Sequence, residues 1–528
     1  MLIPKNHREF FILLLFTIFF ASGCIKVGPD FTPPAVQISK KWLDSDDRRV
    51  KAESEQNRYW WRVFKDPLLD KLIEKAYQEN LPLRVAGLRV LEARAQLGIA
   101  IGDWYPQTQQ MFGSLEKIRT SAHVPAAAGA SQLNFSQSEI GLQASWELDF
   151  WGKFRRAIEA SDASLLAAMT DYDSILVSLT ADVANSYILI RTVEKRLGIA
   201  RQNVAAQQES LEIADVRFKG GTTSQRDVEQ AKTQLSNTKA AIPSLEIQLR
   251  QAKNALSVLL GMPPSTLTGL LQSASEIPVP PPYVAAGIPA DLLRRRPDIK
   301  SVELEAAAQC AQIGVAKADL LPALSLNGTF GLMSSDVGKF KLEDMFQWRS
   351  REGSGGIGFQ WNVLNYGRLT NQVRVQDARF QEVLITYQNA VLRAQQEVED
   401  SLVAFLQTQE RASVLTESTE AAKRSLEIAV LQYRQGITDF TTVLIAQLAL
   451  LNAQDSLANT LGDISHNLVG VYRALGGGWQ IREGNDFVPE SIKREMAKRT
   501  DWGNLLKPTA DISAVKEKHD TLVRPPVW

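Results

Sequence analysis

The chain is one unit written twice, and that duplication limits its fold more than any other feature. Ala95-Gln96-Leu97-Gly98-Ile99-Ala100 leads to Asp103-Trp104-Tyr105-Pro106, and 216 residues later Ala311-Gln312-Ile313-Gly314-Val315-Ala316 leads to Asp319-Leu320-Leu321-Pro322. Trp146 and Trp151-Gly152-Lys153 recur as Trp361 and Tyr366-Gly367-Arg368, and Ser210-Leu211-Glu212-Ile213-Ala214 recurs as Ser425-Leu426-Glu427-Ile428-Ala429, both at an offset of 215. Leu260-Gly261 returns as Leu475-Gly476. Register held across separated segments marks a duplicated fold. The 528 residues are therefore not to be divided into unrelated domains by length alone.

Each copy reads the same way. A helix over 68–103, or 289–319, leads to a strand pair, and a very long helix follows over 153–219, or 368–435. A short turn then reverses the chain, and a return helix runs over 222–260, or 438–475. The long segments carry no proline, and at 1.5 Å per residue they reach roughly 100 Å, far beyond the helix of an ordinary globular domain. Leu165, Met169, Tyr172, Leu176, Leu179, Val183, Tyr187 and Ile190 step by 4 and 3, and their counterparts from Phe380 to Phe405 are all apolar. That period is a coiled-coil seam. The other faces, rich in Ala, Ser, Thr, Asn and Gln, suit a second neighbour and a wet lumen.

The strands separate this reading from a plain antiparallel coiled coil. Ile140, Leu142, Ala144, Trp146, Leu148 and Phe150 alternate with Glu139, Gly141, Gln143, Ser145, Glu147 and Asp149. Period two puts the two sets on opposite faces, at about the length of a tilted bilayer-spanning strand. Ile357, Phe359, Trp361 and Val363 alternate with Gly358, Gln360 and Asn362 in the second copy, and Leu324, Leu326, Phe330 and Leu332 suggest a third strand. A strand over 107–118 alternates poorly. Trp104, Tyr105, Trp146, Trp151, Trp361 and Tyr366 crowd the strand–helix junctions, as aromatics do at a membrane interface. Four strands cannot close a barrel, and open edges in lipid leave backbone groups unpaired. The expected fold is an α+β membrane protein with two repeats per chain, its strands pooled with copies of itself.

The N-terminus reads as a secretory signal over 1–23. Lys5 and Arg8 precede the apolar run Phe10–Phe20, then Ala21-Ser22-Gly23 precede Cys24. A Cys directly after small residues resembles a bacterial lipobox, with Ala21 where Leu is usual, so Cys24 is the expected lipidation site. An ordinary signal with a chance Cys is the plainer alternative. Cys310 is then alone and reads as a small core residue on a helix. After the leader no long apolar helix is expected. The boundaries that follow are an N-terminal segment 24–67, a first repeat 68–261, an equatorial linker 262–288, a second repeat 289–478 and a tail 479–528.

Chemistry-bearing motifs are missing. Removing 1–23 leaves 57 basic and 58 acidic residues, a balance that does not point to nucleic acid. Gly353-Ser354-Gly355-Gly356-Ile357-Gly358 fits a dinucleotide fingerprint but enters a strand instead of opening a helix. His123, His466 and His519 are scattered without metal-ligand spacing. The expectation is no enzyme, no cofactor and no metal site.

Several stretches resemble the TolC-type outer-membrane factors, most closely the OprM/NodT-like lipoprotein branch. They are Val27-Gly28-Pro29-Asp30-Phe31, Trp60-Trp61 with Asp66-Pro67, Asp291-Leu292-Leu293-Arg294-Arg295-Arg296-Pro297-Asp298-Ile299, and Ala474-Leu475-Gly476-Gly477-Gly478-Trp479. The resemblance implies a homotrimer whose twelve-stranded β-barrel sits in outer-membrane lipid and continues into a long α-helical barrel. It implies the channel of a tripartite efflux system, working with a periplasmic adaptor and an inner-membrane pump of the resistance-nodulation-division type. A protein-secretion channel of the same architecture is the alternative. The turns at Gly220, Gly221, Thr222 and at Gly436, Ile437, Asp439 resemble the family's adaptor-docking tips. Relatives often carry pore-facing carboxylates just above the tip. Counted from Gly436, those positions are Thr442 and Ile445, and Leu448 stands where the OprM-like branch places a basic partner. The expected constriction is therefore largely apolar, with Asp439 or Asp227 as the alternative source of negative charge.

Overall fold

The structure is a computed structural model that describes residues 26–51, 58–123, 132–271, 276–287, 289–290 and 295–507. Cys24, Asp291–Arg294 and Pro508 onward lie outside the described residues.

In chain order the strands are β1 (Val50–Lys51), β2 (Thr108–Arg119), β3 (Asn134–Leu148), β4 (Val284–Ala285), β5 (Ala323–Ser335) and β6 (Arg351–Gln360). The helices are α1 (Pro67–Glu79), α2 (Leu81–Gly102), α3 (Lys153–Lys219), α4 (Gln225–Leu259), α5 (Pro297–Ala318), α6 (Arg368–Gln435), α7 (Phe440–Ala474) and α8 (Glu490–Arg499). The long helices α3 and α6 span 67 and 68 residues, with the ends expected from the repeat. Their seam residues from Leu165 to Ile190 are buried, as are Tyr387 to Phe405 in the second copy.

Several expected boundaries differ. The helix expected over 68–103 is two helices, because Pro82 and the Asn80 cap start a new one: Asn80 Oδ1 accepts from Leu83 N at 2.9 Å. Pro297 likewise begins α5 well after 289. The return helices begin at Gln225 and Phe440, once each turn has closed. Strand β6 stops at Gln360, so Trp361 and Val363 lie in the connection to α6; the Trp361 indole instead donates to the Leu320 carbonyl at 3.0 Å. One stretch of α3 does reach a mean hydropathy of 1.2 over eighteen residues, but 61% of it is buried inside the protein, as suits a core helix.

Strands β2-β3-β5-β6 form one antiparallel sheet in that order. Register places Leu142 beside Met111 and Phe330, Trp146 beside Leu326, and Leu148 beside Leu324. Leu326 in turn faces Ile357, and Leu324 faces Phe359. All of these share one face. The opposite face pairs Ser145 with Asn327 at 2.7 Å and Thr329 with Ser354 at 2.7 Å through side-chain hydrogen bonds. The poor alternation of β2 has a local cause. Phe112 lies on the polar face, where a Cβ on Gly141 would come within 2.9 Å of its ring.

Helices α5 and α7 meet end to end in the groove between α3 and α6, and α2 meets α4 in the same way beside α3. The segment 26–51 descends on the outside of the second repeat: Phe31 packs on Phe380, Ser39 N donates to Gln395 and Leu43 N to Glu399. It ends as β1, paired in parallel with β4. The segment after Trp479 covers the first repeat, with Phe487 against Tyr172 and a buried ion pair between Arg482 and Asp173. Cys310 is buried, as a core residue on α5.

Candidate functional site

Both long helices end in the same device. After α3, Gly221 N donates to the Phe218 carbonyl and Thr222 N to Arg217; after α6, Gly436 N donates to Tyr433 and Ile437 N to Gln432. These are paired reverse-turn bonds that need a left-handed residue at the first position past the cap. Gly221 and Gly436 supply it at φ +72 and +79. Gly220 does not: it caps α3 at φ −79, where its counterpart is Gln435.

The two tips are locked to each other. The Asp227 side chain is buried and accepts from Thr223 Oγ1 at 2.6 Å, Ser224 Oγ at 3.0 Å and the Phe440 backbone N–H. Burial pushes its carboxyl up, but those donors and Arg226 outweigh it and hold it below the ordinary 3.8. Phe440 is fully buried and meets the Tyr433 ring edge-on at 5.4 Å. Arg217 stacks over Tyr433 at 4.6 Å and donates to its carbonyl. Asp227 thus joins the repeats, with its side chain buried between them and not on an exposed face.

Thr442, Ile445 and Leu448 lie on one exposed strip of α7, opposite buried Val443, Ala446 and Leu450. Asp439 caps α7 and accepts from Thr442 N at 3.3 Å and Thr442 Oγ1 at 3.2 Å. That leaves Ile445, 63% exposed in the single chain, as the large apolar group nearest the tip on this strip. The tie through Arg217, Tyr433, Asp227 and Phe440 was not anticipated from the sequence. Its signal was a break in the duplication: Phe440 stands opposite Gln225 in the other copy.

At the other end of the molecule the sheet has two edges, β2 and β6, with no partner strand among the described residues. Met111, Leu115, Leu142, Phe330, Ile357 and Phe359 are exposed on its apolar face. At the sheet–helix corners, the Trp146 indole donates to the Trp104 carbonyl at 3.1 Å and the Trp151 indole to the Pro322 carbonyl at 2.8 Å. Among the described residues no group of His, Cys, Asp and Glu could hold a metal ion.

This architecture matches known proteins over most of its length. Nodulation protein T of Rhizobium leguminosarum bv. viciae is 30% identical over 464 residues, covering 87% of this chain and 91% of the relative. The pyoverdine export outer membrane protein OpmQ of Pseudomonas putida is 30% identical over 451 residues, covering 85% of this chain and 94% of the relative. The solved outer-membrane channel OprN superposes with a TM-score of 0.81 at 31% identity, covering 86% of this chain and all of the other. The family model described as outer membrane efflux protein matches residues 72–262 and 288–477, one stretch in each repeat. The chain belongs to the outer membrane efflux protein family.

Proposed function

We propose that three copies of this chain close a twelve-stranded barrel continued by a helical tunnel, and that the assembly is the passive outer-membrane conduit of a tripartite efflux system. The observation that carries this reading is the open sheet. Its neighbours are all antiparallel and its strands even in number, so β6 of one copy and β2 of the next run in opposite directions. They can pair as β2 and β3 do. In lipid such pairing is obligatory, because unpaired backbone groups have no water to turn to. The apolar face then meets lipid, and the polar face lines a lumen.

The helical tips are the natural contact for a periplasmic adaptor, which would bring an inner-membrane pump, of the resistance-nodulation-division type, onto the conduit. Export of pyoverdine by a relative that matches almost end to end supports small molecules as cargo. Cys24 carries the lipid in this reading, and Thr442, Ile445 and Leu448 narrow the pore. No step of chemistry is asked of the protein, which works as a passage and not as an enzyme.

Planar-bilayer conductance, measured together with the mass of the purified oligomer, tests the proposal. Steady ion conductance from a species of three chains is expected. A monomer without conductance would refute it.

A further inference from the structure

Arg156 is 1% exposed, yet it lies at the end of α3 nearest the sheet and spends its guanidinium on the N-terminal segment. Nε donates to the Val27 carbonyl at 3.0 Å, and Nη2 donates to the Gly28 carbonyl at 3.0 Å and pairs with Asp30 at 2.9 Å. Nη1 holds Glu159 at 2.9 Å, and Lys26 bridges Glu159 and Asp30 at 3.1 and 3.4 Å. The segment also bonds to the corner itself, Val27 N donating to the Trp151 carbonyl at 3.1 Å. A planar fork of several donors suits such a set of oxygens, and a lysine ammonium would not span it.

Three glycines let the backbones approach. Gly28 has φ +98, and a Cβ there would come within 2.5 Å of Gly314 Cα. A Cβ on Gly314 would come within 2.8 Å of Arg156 and of the Val27 carbonyl, and one on Gly152 within 2.9 Å of Lys26 Cα. The N-terminal segment, α3 and α5 therefore interlock at a single place.

The duplication supplies an internal comparison. The equivalent corner of the second repeat has Tyr366, Gly367 and Asn371 for Trp151, Gly152 and Arg156, and Gly98 for Gly314. Within one chain these residues do not meet: Tyr366 is 97% exposed and nothing lies within 4 Å of a Cβ on Gly98. The second copy of these residues lacks the arginine, and the N-terminal segment lies on the copy that has it.

We propose that the corner formed by Trp151, Gly152, Arg156 and Gly314 is a docking slot for Lys26–Asp30, and that Arg156 is the positioning residue that selects it. The slot's role in membrane attachment rests on the reading of Cys24 as the lipid-bearing residue. Cys24 precedes Lys26 by two residues, which reach at most about 7 Å. Docking of Lys26–Asp30 would therefore keep lipid borne by Cys24 on a short tether from Trp151.

Hydrogen exchange on the full-length protein in detergent tests the slot. In R156N, which installs the residue of the other repeat, amides of 26–31 should exchange at least tenfold faster. R156K should fall between R156N and the natural protein. Ser39 and Leu43 amides and the amides of α3 should keep their rates. G28V expels the N-terminal segment without substituting any residue of α3 and should give the same pattern should R156N fail to fold. Unchanged exchange at 26–31 in both variants would overturn the proposal, as would faster exchange spread through α3 and α5. C24S made behind a leader without a lipobox should keep the slow amides. Absence of acyl chains from the natural protein by mass spectrometry, with those amides still slow, would remove the lipid reading and leave the slot standing.

Discussion

Asn80 and Arg296, 216 residues apart and equivalent in the duplication, hold the same kind of joint with different chemistry. Asn80 Nδ2 donates to the Leu259 carbonyl at 2.9 Å, where α4 ends and α2 begins. Arg296 Nη1 donates to the Ala474 carbonyl at 2.7 Å, where α7 ends and α5 begins. Each satisfies a carbonyl that a helix end leaves unpaired. Arg296 adds two bonds to Asp298 and one to Glu397 of α6, so the second joint also ties in the neighbouring long helix.

Replacing these residues should rank accordingly. Arg296→Met strips a largely buried cation from two carboxylates and should cost about 3 kcal/mol. Asn80→Ala removes a cap and one bond and should cost about 1 kcal/mol. Thermal unfolding followed by helical circular dichroism should show the larger drop for Arg296→Met; equal drops would mean the arginine's extra partners contribute nothing.

Arg482 fastens the C-terminal segment through a buried two-point pair with Asp173, at 2.6 and 3.0 Å. Burial raises the Asp173 carboxyl above 3.8 despite Arg482. A raised native value means the folded state holds the proton more tightly, so this group's contribution to stability falls as pH rises from 3.8 towards that value. Arg482→Leu should strengthen the effect and cost about 3–5 kcal/mol near neutrality. The variant should recover relative to the natural protein as pH falls towards 4, and Asp173→Leu/Arg482→Leu should restore most of the loss. Melting curves across pH decide it; a loss that grows on acidification would contradict the argument.

The tip glycines should not behave alike. Gly436→Ala and Gly221→Ala place a Cβ at positive φ and should each cost about 1–2 kcal/mol locally. Gly220→Ala, at φ −79, should cost nothing and could even favour the helix. Hydrogen exchange at Thr222 and Ile437, with adaptor binding as second readout, should separate the first two from the third.

If the proposed conduit narrows at the α7 strip, Ile445 is the residue to change. The nearest carboxylate, Asp439, is held by Thr442 at the helix cap, so trivalent cations added from the tip side should block conductance only weakly. Ile445→Asp puts one carboxylate per copy around the pore axis and should create a strong block, since clustered like charges favour a counter-ion. Ile445→Gly should raise resting conductance by removing the apolar plug. Strong block of the natural protein, with Ile445→Gly silent, would turn attention to Asp439.

Much of the architecture was legible in the residues themselves. Proline-free heptads set the length of α3 and α6, alternation set the two faces of β3, and the offset of 215 placed Gly221 against Gly436. These are local signals, because helix and strand periods are properties of neighbouring residues. The joints were not legible. Val27 with Arg156, Asn80 with Leu259, Arg296 with Ala474 and Asp173 with Arg482 are separated by 129, 179, 178 and 309 residues. No period connects such partners, and each depends on where packed helices bring their ends and where the terminal segments lie. Asp227 shows the same limit: its sequence position allows an exposed carboxylate, and only burial against the Phe440 backbone makes it a tie between repeats. The duplication determined what the two halves share, and the tertiary structure decided where they differ, because a buried polar group must find its partner wherever the fold has placed one.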